Sequence, residues 1–323
     1  MPHFETGTVA RVLPGGGGIQ RLVVDVAGRE RPAASYPALV GPLEAGDRVV
    51  VNTTAVDLSL GTGGEHFVLW PLGRASGGVM SGGHVMKLRY TPVQMDTLVV
   101  ESPESRHHDA LASAESLDGM PVVACSLHSQ VAAVAAVAKA RDPAVRIAYV
   151  MTDGGALPLA TSRLVAGLTD RGLVDVTLTC GNAFGGMLEC VNVWSALLAA
   201  RWVAGAGLAI ACIGPGVVGT GTPLGHTGMD QGLSLSAAGA LGGVPVAALR
   251  ISFADPRPRH RVVSHHSLAA LRFGALCRCT VAVPALEADR AAAVAQRLEE
   301  AGVGRRHDIV VADASGTLEA LEA

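Results

Sequence analysis

From about residue 120 onward one pattern of apolar and polar positions recurs. A short run of apolar, often β-branched residues is followed by a glycine-rich or polar break. A longer stretch then repeats apolar positions three and four residues apart. The apolar runs begin near Pro121, Arg146, Val174, Gly207, Pro245, Arg278 and Asp308, at intervals of 25 to 38 residues. Strands that are apolar throughout are those buried on both faces, and helices joining successive parallel strands cover such faces. The spacing therefore predicts β-α-β crossovers, with helices over residues 130–140, 162–171, 187–203 and 289–301. Seven units fall one short of an eight-fold barrel, so the expected fold is α/β with a doubly wound, mostly parallel sheet, and the barrel is the structural alternative.

The first hundred residues read differently. β-rich runs at 7–13, 20–26 and 47–52 are separated by Gly15-Gly16-Gly17-Gly18 and Glu44-Ala45-Gly46-Asp47, the punctuation of a small antiparallel sheet or barrel. Residues 74–83 are expected to loop, and 98–100 to form a last strand or connector. The predicted organisation is a small β-barrel-like domain over 1–100, a connector over 101–120, and an α/β domain over 121–323.

Composition narrows the function classes. With 49% apolar and 16% charged residues, 40 glycines and 17 prolines in 323, the chain is neither disordered, coiled-coil nor collagen-like. Mean hydropathy is +0.38, and residues 202–225 carry no formal charge. Gly205, Gly207, Gly214, Pro215, Gly216 and Gly219 interrupt that stretch, which reads instead as a helix end, a buried strand at Leu208–Ile213 and a loop. Net charge is −3 without a like-charge block, so neither nucleic acid nor a membrane surface is an expected partner. The amino terminus shows no basic run followed by an apolar one, and a cytoplasmic location is expected. Six cysteines lie mostly within apolar runs, the setting of reduced, buried thiols. Alanine- and glycine-rich helix faces admit a homo-oligomer.

Chemistry is expected beyond the carboxyl ends of the parallel strands, where loops converge. The segments after the predicted strands are richer in glycine and reactive side chains than the opposite ends. Gly214, Gly216 and Gly219 follow a strand with G-x-G-x-x-G spacing. No helix visibly starts at Gly219, and no acidic residue stands about twenty positions on to hold a ribose. An anion-cradling loop with Thr220 and Thr222 is one reading; a turn needing unusual φ values is the other.

Asp255, Arg257, Arg259, His260 and Arg261 crowd the end of another strand, followed by Ser264-His265-His266-Ser267. Guanidinium groups suit carboxylate or phosphate, and imidazoles transfer protons or bind metal. The alternative is a solvated ion-pair surface. As neighbours on a helix or strand, His265 and His266 point apart, so at most one is expected to reach a given ion. Asp153 at a strand tip suits a general base, a metal ligand, a hydroxyl acceptor or a helix cap. His128 and Ser129 follow the first strand of the α/β domain, but no G-x-S-x-G elbow exists. Cys125 and Cys180 are nucleophile candidates weighed against inert thiols. Asn52-Thr53-Thr54 and residues 60–67 either contribute to a site or form turns, and His107, His108 and Asp109 read as a solvated patch.

Three functions stay open. The first is a transferase or hydrolase acting on a small anionic metabolite. Its ligand residues would be Gly214, Gly216, Gly219, Thr220, Thr222, Arg257, Arg259 and Asn182, and its catalytic residues Asp153, His128, Asp255, His260 and His265. The second is a non-catalytic ligand-binding sensor or assembly module using the same pocket. The third is a metal-dependent hydrolase holding a divalent metal on His265 or His266 with Asp153 or Asp255.

A resemblance runs through nearly the whole chain. Val51-Asn52-Thr53-Thr54-Ala55-Val56, Gly61-Thr62-Gly63-Gly64, His66-Phe67 and Met86-Lys87-Leu88-Arg89-Tyr90-Thr91-Pro92 carry it in the first part. Leu127-His128-Ser129, Met151-Thr152-Asp153-Gly154, Ala183-Phe184-Gly185-Gly186, Gly214-Pro215-Gly216, Ser252-Phe253-Ala254-Asp255 and Ser264-His265-His266 carry it in the second. Together they resemble the bacterial domain-of-unknown-function family 3866, which implies no activity. In that family's pattern a histidine is usual where Asn182 stands and an acidic residue where Met187 stands. The resemblance thus implies an altered loop after the third strand of this chain's α/β domain.

Overall fold

Alternation of apolar residues builds the first part of the chain. Leu22, Val24 and Val26 point to one side of their strand, Val49 and Val51 to one side of another, and all five are buried together. In this structure, a computed structural model that describes residues 1–61, 63–74 and 81–322, they fill a closed five-stranded barrel. Its strands are β1 (Phe4–Val12), β2 (Gln20–Val26), β3 (Arg29–Ser35), β4 (Arg48–Asn52) and β5 (His66–Pro71), in the order β1-β2-β3-β5-β4, with β4 closing onto β1. Four pairings are antiparallel; β3 and β5 run parallel. Short helices α1 (Pro37–Val40) and α2 (Thr54–Asp57) and a small ladder of β6 (Val85–Lys87) with β7 (Met95–Thr97) complete this unit, Met1–Thr97.

Of the two readings of 98–100, the connector holds: the strand there is β7, just before it, and 98–100 are irregular, with Val100 buried in a core of the second unit. Thr62 and most of the loop expected over 74–83 fall outside the described residues.

The second unit begins at Leu98. After α3 (His108–Ala112) come β8 (Pro121–Cys125), α4 (Gln130–Arg141), β9 (Ile147–Thr152), α5 (Arg163–Asp170), β10 (Val176–Thr179) and β11 (Leu188–Glu189). Then follow α6 (Val193–Trp202), β12 (Leu208–Ile213), α7 (Asp230–Ala240), β13 (Val244–Ala248) and a hairpin of β14 (Ile251–Ser252) and β15 (Val262–Val263). The chain ends through α8 (His265–Ala269), β16 (Thr280–Pro284), α9 (Ala288–Glu300), β17 (Asp308–Ala312) and α10 (Thr317–Glu322).

Eight strands form one parallel sheet in the order β11-β10-β9-β12-β8-β13-β16-β17. It is open, so the eight-fold barrel alternative is set aside. Every residue of β9 and β12 is buried, as a strand in mid-sheet with both faces covered must be. Alternate residues of these strands enter different cores: Ala148, Val150, Ala209 and Ala211 pack with α6 and α7, whereas Ile147, Tyr149, Met151 and Ile210 pack with α4 and α5. The two helix pairs therefore lie on opposite faces, and the winding is double. Among the described residues, no helix is long and apolar enough to cross a membrane.

Candidate functional site

Strands β12 and β8 are neighbours, yet β8 connects through α4 on one face and β12 through α7 on the other. Exits that diverge at adjacent strands open a crevice at their carboxyl ends. On the β8 and β13 side of this edge the chain assembles four histidines. After β13 it turns into the β14–β15 hairpin, whose loop carries His260 in a 3-10 turn, Pro258–His260. Ser264 caps α8, its hydroxyl accepting the His266 N–H, and this starts the helix with His265 and His266 in its first turn. The fourth, His226, arrives from the loop after β12. That loop folds back on itself, pairing Gly219 with His226, while Thr220 donates its backbone N–H to the Gly225 carbonyl at 2.9 Å.

The rings are close. His226 and His266 stack with centroids 3.9 Å apart, and His265 lies 4.3 Å from His266 and 5.3 Å from His226. His260 stands 5.0 Å from His265 and 4.9 Å from His266. A Cβ at Gly228 would come within 3.1 Å of His226 Nδ1 and 3.2 Å of His266 Cβ, so glycine there leaves room for both imidazoles. One coordinating atom each from His226, His265 and His266 can be chosen so that all lie within 4.8 Å of one another. The expectation that adjacent His265 and His266 cannot serve one ion is thereby corrected: at the start of a five-residue helix both rings turn toward His226.

Burial pushes all four imidazoles below their ordinary value. For His266 the fall is to about 3, deepened by the neighbouring histidines and Arg250; for His260 it is to about 4, deepened by Arg250 and Arg257. His265 is lowered by burial, then by His226 and Arg259; His226 is lowered by burial, with the Pro223 carbonyl acting in the opposite sense. All four are neutral near pH 7. Both ring nitrogens of His226, Nε2 of His265 and Nδ1 of His266 are buried and make no hydrogen bond of ordinary geometry. His260 is different. Arg250 can only donate, and its Nη1 lies 3.4 Å from His260 Nδ1, which also meets the Ser264 hydroxyl at 2.8 Å. Nδ1 is therefore an acceptor and the proton sits on Nε2. A neutral His260 of this tautomer is a hydrogen-bond donor rather than a base.

Asp255 sets the charge beside this group. Arg257 grips it with Nε at 3.0 Å and Nη2 at 2.9 Å, and Arg250 Nη2 reaches it at 2.5 Å. The Arg257 hydrogen bond, opposed in part by burial, holds the Asp255 carboxyl well below the usual carboxylate range. Asp255 is thus an anchor for two arginines. A cavity of about 370 Å³ opens beside His265, with Arg259, Arg272, Arg297, Leu268 and Phe273 among its walls. Arg297 is paired with Glu300 at 3.1 Å, leaving Arg259 and Arg272 as its cations without an ion pair among the described residues.

The remaining sequence candidates fall into other groups along the same edge. Asp153 accepts the Asn182 backbone N–H at 2.9 Å and lies against Gly181, whose φ is +65°. Its charge, after burial, helps raise the Asp230 carboxyl above the ordinary value, against the Thr152 hydroxyl at 2.8 Å and the Gly154 N–H. Among the described residues, no hydrogen bond or ion pair joins Asp153 or Asp230 to the histidines. His128 is engaged at both nitrogens, Nε2 with Ser162 Oγ at 2.6 Å and Nδ1 with the Ile213 carbonyl at 3.2 Å and the Tyr149 hydroxyl at 3.1 Å. It ties the end of β8 to β12 and to the start of α5.

In the glycine-rich loop, Gly214 meets the Ala156 carbonyl and Gly216 has φ +89°. The Thr220 and Thr222 hydroxyls bond each other at 3.0 Å and hold Gly225. The next helical turn, Thr227–Met229, starts only after His226. The loop's features thus serve its own geometry. Cys125 is buried and its thiol pushed up to about 12, which makes it inert at neutral pH. In the barrel, Asn52, Thr53 and Thr54 build the α2 turn, with Asn52 Oδ1 accepting the Thr54 N–H.

Sequence reasoning passed over His226, Arg250, Arg272 and Asp230. A signal for His226 existed: it lies in the same loop as Gly214 and Thr222, and no helical pattern resumes before residue 230.

No curated protein and no solved structure matches the chain. A family model described as "Protein of unknown function (DUF3866)" matches residues 32–323, which takes in the barrel from β3 onward and the whole parallel sheet. By that match over most of its length, the chain belongs to the DUF3866 family.

Proposed function

We propose that this protein is an enzyme, a hydrolase or transferase, acting on a small anionic molecule at the carboxyl ends of its parallel strands. One observation carries the reading: a cavity of about 370 Å³ has His265 in its wall, with Arg259 and Arg272 beside it. That volume lies within the range of small-molecule pockets. Guanidinium groups without carboxylate partners suit a phosphate or carboxylate on the ligand. Behind His265 stand His226 and His266, and the buried Nδ1 of His266 has no hydrogen-bond partner among the described residues. An unpaired buried polar atom costs about 1–3 kcal/mol, a cost that a reacting centre explains and a packed core does not. His260, neutral and protonated on Nε2, would hydrogen-bond a developing oxyanion. Hydrolysis or group transfer is favoured over redox chemistry because the glycine-rich loop leads into no helix at Gly219.

The test is a turnover screen of purified full-length protein against phosphomonoesters, phosphodiesters, carboxylic esters and amides bearing an acidic group. Turnover is expected to disappear in His265→Ala and to fall at least about tenfold in Arg259→Ala, the loss of one charge-assisted contact of roughly 1.4 kcal/mol or more. Tight calorimetric binding of an anionic compound with no product by mass spectrometry would establish a ligand-binding module instead.

A further inference from the structure

We infer that His226, His265 and His266 form a three-histidine site for a divalent transition metal of the zinc class. The inference deepens the enzymatic reading and rests on it only for the nature of the ion's remaining ligand.

Three features support the site. First, two segments distant in sequence converge on it: the end of the glycine-rich loop supplies His226, and the first turn of α8 supplies His265 and His266. Second, His226 and His266 are each only 6% exposed, and apart from the Pro223 carbonyl beside His226, neither nitrogen of the first nor Nδ1 of the second meets a partner in hydrogen-bond geometry among the described residues. A buried imidazole in a structural role finds partners, as His307 does with the Leu271 carbonyl at 2.9 Å and Cys279 Sγ at 3.3 Å. Third, the candidate ligand atoms lie within 4.8 Å of one another. Zinc–nitrogen bonds of 2.0–2.1 Å in a tetrahedron set nitrogens about 3.4 Å apart, so the rings need move by only about 1 Å to close on the ion.

Imidazole is a borderline-soft donor that suits zinc, copper, nickel and iron(II) and disfavours magnesium and calcium. Three neutral ligands leave the ion's charge uncompensated. Asp255, the nearby carboxylate, is already committed to Arg250 and Arg257. A position left open on the ion would therefore suit an anion, hydroxide or an oxygen of an anionic substrate, and the cavity with Arg259 and Arg272 adjoins His265. Surroundings support the ligands as well. Ser264 holds the start of α8 through the His266 N–H, and Ser267 donates to Ser126 Oγ at 3.2 Å, fixing the helix to the end of β8.

The experiment uses full-length protein stripped with a chelator, then reloaded separately with zinc(II) and cobalt(II). Stoichiometry is read by plasma mass spectrometry after gel filtration, and geometry from the visible absorption of the cobalt form. The expected result is one metal per chain and the intense visible bands of four- or five-coordinate cobalt with nitrogen and oxygen ligands. Affinity should fall about 100-fold or more in His226→Ala and in His266→Ala. It should stay unchanged in a His107→Ala, His108→Ala double variant, which removes the half-buried histidine pair beside α3. Substoichiometric metal in the wild type would overturn the proposal, as would equal affinity in the site variants or a cobalt spectrum with thiolate charge-transfer bands. Should an alanine variant fail to fold by circular dichroism, the wild-type stoichiometry and cobalt spectrum decide alone. A bound metal with no turnover in the substrate screen would remove the enzymatic reading and leave the site standing. Turnover that survives in protein that takes up no metal would remove the site and leave the enzymatic reading standing.

Discussion

Gly214 and Gly219 occupy one loop and meet different needs. A Cβ on Gly214 would lie within 2.3 Å of the Ala156 carbonyl oxygen, because the loops after β9 and β12 pack backbone on backbone, Ala156 donating to the Pro215 carbonyl at 2.8 Å. A Cβ on Gly219 would meet His266 at an ordinary 3.5 Å. Gly214→Ala should therefore destabilise the fold by about 1–3 kcal/mol, the usual cost of forcing atoms into filled space. Gly219→Ala should stay within about 0.5 kcal/mol. Urea midpoints for the two variants check this, and equal midpoints would show that the loop contact does not constrain position 214.

Such distinctions were invisible in the string of letters, where both glycines belonged to one motif. Spacing reports the residue type. What a side chain would strike depends on a second loop sixty positions away.

His128 belongs to the same scale. Its burial depresses the imidazole below the ordinary value of about 6.5, with the Ile213 carbonyl in partial opposition. The unfolded chain then takes up this proton first as pH falls. The stability His128 contributes is complete above about pH 6.5 and is lost on acidification toward its folded value. Replacement by glutamine should flatten the stability profile below pH 6.5, by at most about 1.4 kcal/mol per pH unit for the one proton involved. Urea unfolding of wild type and His128→Gln at pH 7.5 and 5.0 measures the difference, and parallel profiles would mean that His128 is protonated alike in both states.

At the scale of elements, hydrophobic periodicity located what packing demanded. All seven apolar runs of the second unit are strands, and β2 and β12 keep the expected bounds. The misses have local causes. The helix expected over 187–203 starts only at Val193, because Asn192 and Ser195 form a reciprocal cap and residues 188–189 pair alongside β10 as β11. A two-residue strand is too short to show a period. In β3 only the last three residues are buried, and its Arg-Glu-Arg-Pro opening shows no alternation. Helix α7, rich in glycine, serine and alanine, has little apolar stripe to read, yet it buries Leu235, Ala237 and Ala238 against the sheet. Small residues bring it close: a Cβ on Gly232 would strike the Gly274 backbone at 2.6 Å. That approach sets α7 against the continuation of α8, so the helix after His226 is packed onto the helix that begins with His265.

Over the whole molecule, the chain divides into compact units between Thr97 and Leu98, so that the stretch 101–120 belongs to the second unit, while the grouping of polar residues at the sheet edge followed from strand order, which periodicity does not encode. Asp153 and Asn182 sit at the ends of β9 and β10, whereas the histidines gather where the β12 loop meets the hairpin after β13. Proximity in the list of strand-end loops does not translate into contact. The cores are divided in the same manner as the units. One draws only on residues of the barrel, from Val9 to Val68, and the other three only on residues from Val100 to Val303. All four histidines of the site belong to the second unit, as do Arg250, Arg259 and Arg272. A chain beginning at Leu98 therefore retains three complete cores and every group assigned to the metal. At more than 200 residues it is large enough to bury about 70% of its unfolded surface. It should unfold in one cooperative transition and bind one zinc with the affinity of the full-length protein. Thermal unfolding by circular dichroism and the same metal analysis provide the check. Loss of the cooperative transition, or a cooperative fold that binds no zinc, would show that the residues from Leu98 onward are not sufficient.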